Sequence, residues 1–215
     1  MSGFSEKLKQ ASEPDWSEAA GHRFVRELTA GTVADPVMAR YLIQDHRFID
    51  NFLTLLGAAL SYADRFEARI SLGRFIGMIS GDENDYFLRS FKALGLTEAQ
   101  RRDPPDSGPT GGLKRIMLEA ARSGSYAAAI SVLAVAEGLY LDWGQRCSPP
   151  YPPNFLYAEW ITLHNNDYFA GFVAFLRSEL DRVGPAQAEL CRDYFLRTVR
   201  LEREFFDDAY AESQS

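Results

Sequence analysis

The sequence predicts an all-α protein, on three observations. Apolar residues recur at three- and four-residue spacing along almost the whole chain, no segment sustains the apolar–polar alternation of a half-buried strand, and Pro- and Gly-rich breakers divide the chain into helix-sized lengths. The 215 residues are 46% hydrophobic and include 15 Phe, 10 Tyr and 3 Trp, enough for one sizeable core. A single domain over residues 1–215, a bundle of about seven to eight helices, is therefore expected.

The elements follow in order. Ser12-Glu13-Pro14 reads as the cap of a first helix running to about Ala30. After the break "AGTVADPVM", Asp35-Pro36 opens a second helix over roughly 36–62, because proline in a first turn forfeits no helical hydrogen bond. A third covers about 65–94 and stops near Gly95. The loop "RRDPPDSGPTGG" precedes a helix of about 112–122, and Ser125 caps the next, which contains Glu137. The segment "CSPPYPPNF" cannot be helical, since its four prolines lack donors and fix φ. Two last helices, about 155–183 and 185–211, divide at Gly184-Pro185.

Composition excludes several function classes. A net charge of −7 with scattered basic residues argues against a nucleic-acid partner. No run of about 18 uncharged apolar residues suggests a membrane span, and the N-terminal stretch lacks a signal-peptide apolar region, so a cytoplasmic protein is expected. Cys147 and Cys191 stand alone without CxxC spacing, which fits neither a disulfide framework nor a thiolate metal site. His22, His46 and His164 are not preceded by Glu at the spacing of a di-iron bundle, and no phosphate loop, nucleophile elbow or HExxH occurs. Neither a metal nor a cofactor is implied.

The informative positions are polar residues on apolar stripes. Asp45 lies four residues after Tyr41 and three before Phe48, on a stripe that continues through Phe52 and Leu56. Glu137 shares its spacing with Ile130, Leu133, Tyr140 and Gly144. His164 falls in line with Tyr157, Trp160, Tyr168 and Phe172, and Glu202 with Phe195, Thr198, Phe205 and Phe206. Any one such acid is satisfied by a backbone group or an Arg partner in many proteins. Three acids and a histidine on four separate aromatic-lined stripes point instead to a common pocket. Its walls and acceptors would suit a flat, nitrogen-rich ring.

The order of "YLIQDHRFIDNF", "AVAEGLYLDWG", "YAEWITLHNNDYF" and "RTVRLEREFFDDAY" resembles the TenA family, the thiaminase II group of haem-oxygenase-like helical bundles, over essentially the whole chain. The resemblance implies that Asp45 contacts an aminopyrimidine, that Phe48 stacks beside it, that Tyr140 is a pocket tyrosine and that Glu202 is a general acid/base. Phe206, Tyr41 and His164 complete the expected substrate-binding set. The family's nucleophilic cysteine is replaced by Ala136, with Glu137 beside it, and two of its tyrosines by Leu113 and His164.

That combination resembles the cysteine-less TenA-E type, which implies hydrolysis of aminopyrimidine or formylaminopyrimidine thiamin breakdown products to hydroxymethylpyrimidine in thiamin salvage. In this reading Glu137 positions or deprotonates the attacking water. The alternatives are a non-catalytic pyrimidine-binding protein, a transcriptional regulator, a role historically attached to the family, and an oxidase of the PqqC type. The acidic charge and the missing basic recognition helix weigh against the regulator, and the acid-lined stripes against the oxidase. The resemblance also implies a homodimer or homotetramer. Trp16, Phe24 and Phe155 are expected either at a subunit contact or capping the core.

Overall fold

The computed structural model describes residues 3–211, and among these all regular structure is helical. The helices are α1 (Phe4–Ala11), α2 (Asp15–Ala20), α3 (Arg23–Ala30), α4 (Asp35–Tyr62), α5 (Phe66–Met78), α6 (Asn84–Ala93), α7 (Glu98–Arg102), α8 (Gly108–Arg122), α9 (Tyr126–Gln145), α10 (Phe155–His164), α11 (Asp167–Val183) and α12 (Ala188–Asp208). A π-helical turn, Ile79–Glu83, joins α5 to α6, and a 3₁₀ turn, Gly184–Gln187, leads into α12.

Helix α9 is the axis of the bundle. Its sequence has no polar face: Ala, Gly, Val, Leu and Ile occupy nearly every position, and the side chains are buried all round except at Asp142 and Gln145. A helix apolar on every side must be covered on every side. Helices α4, α8, α10, α11, α12 and α2 surround it. By length and composition α9 could also cross a membrane, but within this fold it is the covered core helix. The small residues set how near the neighbours come. Gly138 lies beneath the Trp16 ring, and the Trp16 indole N–H donates to Asp142 at 2.8 Å, fastening α2 across α9.

The structure refines several sequence-based boundaries. The expected helix from residue 14 to Ala30 is two helices broken at Gly21, with His22 capping α3 by accepting the Phe24 N–H at 3.1 Å. Ser12 does not start α2; it is the C-cap of α1, and its hydroxyl donates backward to the Lys9 carbonyl. The expected 65–94 helix contains the π turn, and α8 starts four residues early because Ser107 caps it. The expected 155–183 helix breaks at Asn165-Asn166, where Asn166 accepts the Phe169 N–H at 2.9 Å and starts α11 in a new direction. Tyr168 therefore leaves the His164 face and lies 47% exposed. Trp16 and Phe24 are core residues, 2% and 1% exposed, and Phe155 is half-buried, so the first two offer no subunit contact.

One close approach bears on the site. A Cβ at Gly144 would stand 2.5 Å from the His164 carbonyl oxygen, which is backbone and cannot rotate aside. Gly144→Ala is expected to push α10 off α9 and cost about 1–3 kcal/mol. For a chain of this size that is a fall of roughly 2–4 °C in Tm per kcal/mol, read by thermal unfolding.

Candidate active site

The predicted stripes meet. A cavity lies between α4, the π turn, α9, α10 and α12, with about 410 Å³ of empty space that includes its opening to solvent. Asp45, Phe48, Ile49 and Phe52 enter from α4, Glu83 from the π turn, Ala136, Glu137 and Tyr140 from α9, Trp160 and His164 from α10, and Glu202 from α12. Six of the eight residues expected from sequence line it: Asp45, Glu137, Glu202, Phe48, Tyr140 and His164.

Tyr41 and Phe206 do not. They form a layer behind the wall, stacked on each other with ring centroids 6.1 Å apart. The Tyr41 hydroxyl shares a 2.8 Å hydrogen bond with that of Tyr140 and so orients the cavity-facing ring. Leu113 is fully buried and lies away from the cavity lining. The fourth carboxyl, Glu83, was not anticipated. Its acidic neighbours Asp82 and Asp85 are exposed, yet Tyr86 and Phe87, three and four residues on, are both fully buried, and that spacing is the available signal.

Electrostatically the site is unusual. Four carboxyls face one cavity whose lining contains no Lys or Arg. Asp45 and Glu202 each leave one oxygen, Oδ2 and Oε2, buried without a hydrogen-bond partner among the described residues. Burial raises the pKa of Asp45 to about 8, and burial together with the nearby Asp45 charge does the same for Glu83 and Glu202. Glu137 is raised well above the ordinary range, by burial first and then by Glu83, Glu202 and Asp45. These groups titrate as a coupled set.

His164 stays neutral. Burial lowers its pKa to about 4, and its Nδ1–H donates to the Trp160 carbonyl at 2.8 Å, which leaves Nε2 as an acceptor. Tyr140, raised by burial, keeps its proton and remains a donor.

Glu179 on α11 shows the ordinary alternative. It is just as buried, but Arg65, Arg182 and Tyr126 donate to it. Burial alone would raise its pKa, yet the Arg182 and Tyr126 hydrogen bonds outweigh this and hold it below the usual value. The cavity acids are thus denied the partners given to a structural acid of the same chain.

Neither cysteine reaches the cavity. Cys147 contacts the Thr29 hydroxyl at 3.0 Å, Cys191 faces the Ala127 carbonyl at 3.8 Å, and burial raises both thiols. Among the described residues no group of three His, Cys, Asp or Glu side chains is arranged to hold a metal ion.

A family model described as TENA/THI-4/PQQC matches residues 9–212. The chain belongs to that family. Among curated relatives of this TENA/THI-4/PQQC protein is the aminopyrimidine aminohydrolase of Halalkalibacterium halodurans, 22% identical over 97% of this chain and 96% of its own. Among solved structures, a TenA homologue from P. horikoshii OT3 is 20% identical and superposes with a TM-score of 0.86 over 97% of this chain and 99% of that one. A domain of unknown function with a heme oxygenase-like fold from Shewanella denitrificans superposes with a TM-score of 0.68 at 12% identity, over 95% and 91% of the two chains. The fold of this chain is therefore haem-oxygenase-like, as the family resemblance implied.

The raised carboxyls set a pH dependence. A group whose folded pKa lies above its unfolded value contributes stability that is present below the unfolded pKa and is lost as pH rises through the folded one. Asp45, Glu83 and Glu202 place that loss between about pH 4 and pH 8. His164 acts in the opposite sense, costing stability as pH falls from about 6.5 towards 4. Tm is expected to rise as pH is lowered from about 8 and to go on rising towards about pH 4, less steeply below about pH 6.5 where His164 acts in the opposite sense. Glu202→Gln should raise Tm most at pH 8, less at pH 5.5 and hardly at all near pH 4; equal Tm values for wild type across this range would contradict the assignment.

Proposed function

We propose that this protein is a hydrolase of aminopyrimidines, of the cysteine-less TenA-E type, converting an aminomethyl- or formylaminomethyl-pyrimidine to the hydroxymethyl form. The observation that carries the reading is the convergence of Asp45, Glu137 and Glu202 on one aromatic-walled cavity that holds neither a cation nor a thiol. The name of the H. halodurans relative supports the substrate class.

An aminopyrimidine presents an amidine edge rich in N–H donors and ring nitrogens that accept. Carboxyl groups that are neutral or share protons can meet both, donating to a ring nitrogen and accepting from the amino group. Glu202 takes the amidine edge and exchanges a proton with the ring, and Asp45 anchors the 4-amino group through its unpartnered oxygen. Phe48 and Tyr140 flank the ring, with Trp160 closing the cavity behind. Enclosure by these rings excludes bulk water and strengthens each polar contact.

With Ala136 at the position of the family's cysteine, attack by sulfur is replaced by attack of water activated by a carboxyl of the cavity. A carboxyl in a dry cavity, with its pKa moved towards the working range, is suited to proton transfer in a way that a surface carboxylate is not.

The test is release of ammonia from the aminomethylpyrimidine, or of formate from its formyl derivative, by purified protein. Glu137→Gln and Glu202→Gln are expected each to lower turnover on the order of 10²–10⁴-fold while the protein stays folded. Full activity in both variants, or tight binding of the pyrimidine with no turnover in wild type, would overturn the reading. The latter result identifies a binding protein.

A further inference from the structure

Hydrolysis of a C–N bond needs one group to take a proton from water and another to give a proton to the departing amine. Glu83 and Glu137 reach the same cavity from different elements, the π turn and α9, with no cation in the lining to fix the charge of either. Their surroundings differ. Glu137 is ringed by carboxyls from three elements, Asp45 on α4, Glu83 on the π turn and Glu202 on α12. Among acids crowded into one buried cavity, the most surrounded one keeps its proton and the charge falls to its neighbours, here Asp45, Glu83 and Glu202.

The backbone at Glu83 is equally specific. Within the π turn only Ile79 and Glu83 are buried, while Ser80 and Asp82 face outward. A π turn inserts one residue into the helical ladder, redirects the side chains that follow, and recurs at functional sites. The element gives up regular α-helical hydrogen bonding at the place where it presents an unpaired acid to the cavity, a concession that packing alone does not require.

We propose that Glu83 is a catalytic residue of this site, the general base for the attacking water, and that Glu137 is its protonated partner, the donor to the leaving amine. The inference rests on the aminopyrimidine reading above. The water oxygen bonds to the exocyclic methylene carbon as one water proton passes to Glu83. The C–N bond breaks with its electron pair on nitrogen, which takes the proton of Glu137 and leaves as ammonia. Glu83 then returns its proton to Glu137. The sum is aminomethylpyrimidine plus water giving hydroxymethylpyrimidine plus ammonia, and the carboxyl pair carries one negative charge before and after.

The charged and titratable groups around Glu83 are Asp45 from α4, Glu137 and Tyr140 from α9, His164 from α10, Glu202 from α12 and Tyr86 from α6. Arg74 and Asp82 lie beyond them in a surface groove. Activity should therefore rise with pH as the base ionises, against the pull of its acidic neighbours.

The experiment is ammonia release by wild type, Glu83→Gln and Glu83→Ala across pH. Glu83→Gln is expected to lose at least about 10²-fold in kcat, with KM within about threefold of wild type, and to lose the acidic limb of the pH profile. Azide is a nucleophile that needs no deprotonation. Added to Glu83→Ala it should restore turnover at least about tenfold and yield the azidomethylpyrimidine, a product that a merely structural Glu83 would not allow. Should Glu83→Gln fail to fold, Glu83→Asp keeps the charge one methylene short and is expected to retain the acidic limb with kcat lowered about tenfold. Wild-type kcat and pH profile in Glu83→Gln, or wild-type kcat in Glu83→Asp, overturns the proposal while leaving the aminopyrimidine reading intact. Absence of ammonia release by wild type overturns both.

Discussion

An ionised carboxylate in a low-dielectric interior must find a cation, find hydrogen-bond donors or give up its charge. This chain applies the first two remedies nearly everywhere and withholds them around one cavity. Arg65 and Arg182 neutralise Glu179, and Lys9 and Arg146 engage Asp142. Among the described residues, Asp45, Glu83, Glu137 and Glu202 receive no such partner. Keeping them buried requires the surrounding helices to be held together by other means, and the dense aromatic packing behind the cavity does this. The rings of Phe24, Tyr41, Trp160, Phe205 and Phe206 interlock at centroid distances of 4.2 to 6.1 Å. Proteins are stable by only about 5–15 kcal/mol, so burying four such acids is a substantial cost to the fold.

The same constraint explains the character of the other groups. Desolvation keeps His164 and Tyr140 uncharged, so the site offers neutral donors and acceptors beside exchangeable protons. The hydrogen bond from Tyr41 and the rings stacked behind it hold the Tyr140 ring in one orientation. On the proposed function, such a cavity would recognise a polar heterocycle by shape and by paired hydrogen bonds. Membership of the TENA/THI-4/PQQC family agrees with that architecture, and at 20% identity a likeness to solved TenA structures speaks for the fold alone.

Much of the site was legible because helical periodicity fixes direction. A residue three or four places from buried aromatics must point where they point. That rule placed Asp45, Glu137, Glu202 and His164 correctly, each inside a helix long enough for the period to hold. It failed at Tyr168, because the period was carried across Asn165-Asn166, where a side-chain cap restarts the helix. It also ranked Tyr41 and Phe206 with the wall when they stand one layer behind, since periodicity gives a direction and no depth. Glu83 was hidden among exposed acidic neighbours, and a π turn has no sequence signature as clear as a capping serine or a proline.

By itself the sequence determined the all-helical class, the order of the long helices and the inward direction of three acids and a histidine, because these depend on local periodicity and on breakers. Tertiary structure alone decided that the stripes share one cavity, that no cation enters it and that a fourth carboxyl joins from the π turn. Those outcomes depend on how separate helices cross α9, and on which long arginine side chains reach which acids, and neither is encoded within a few residues of any one position.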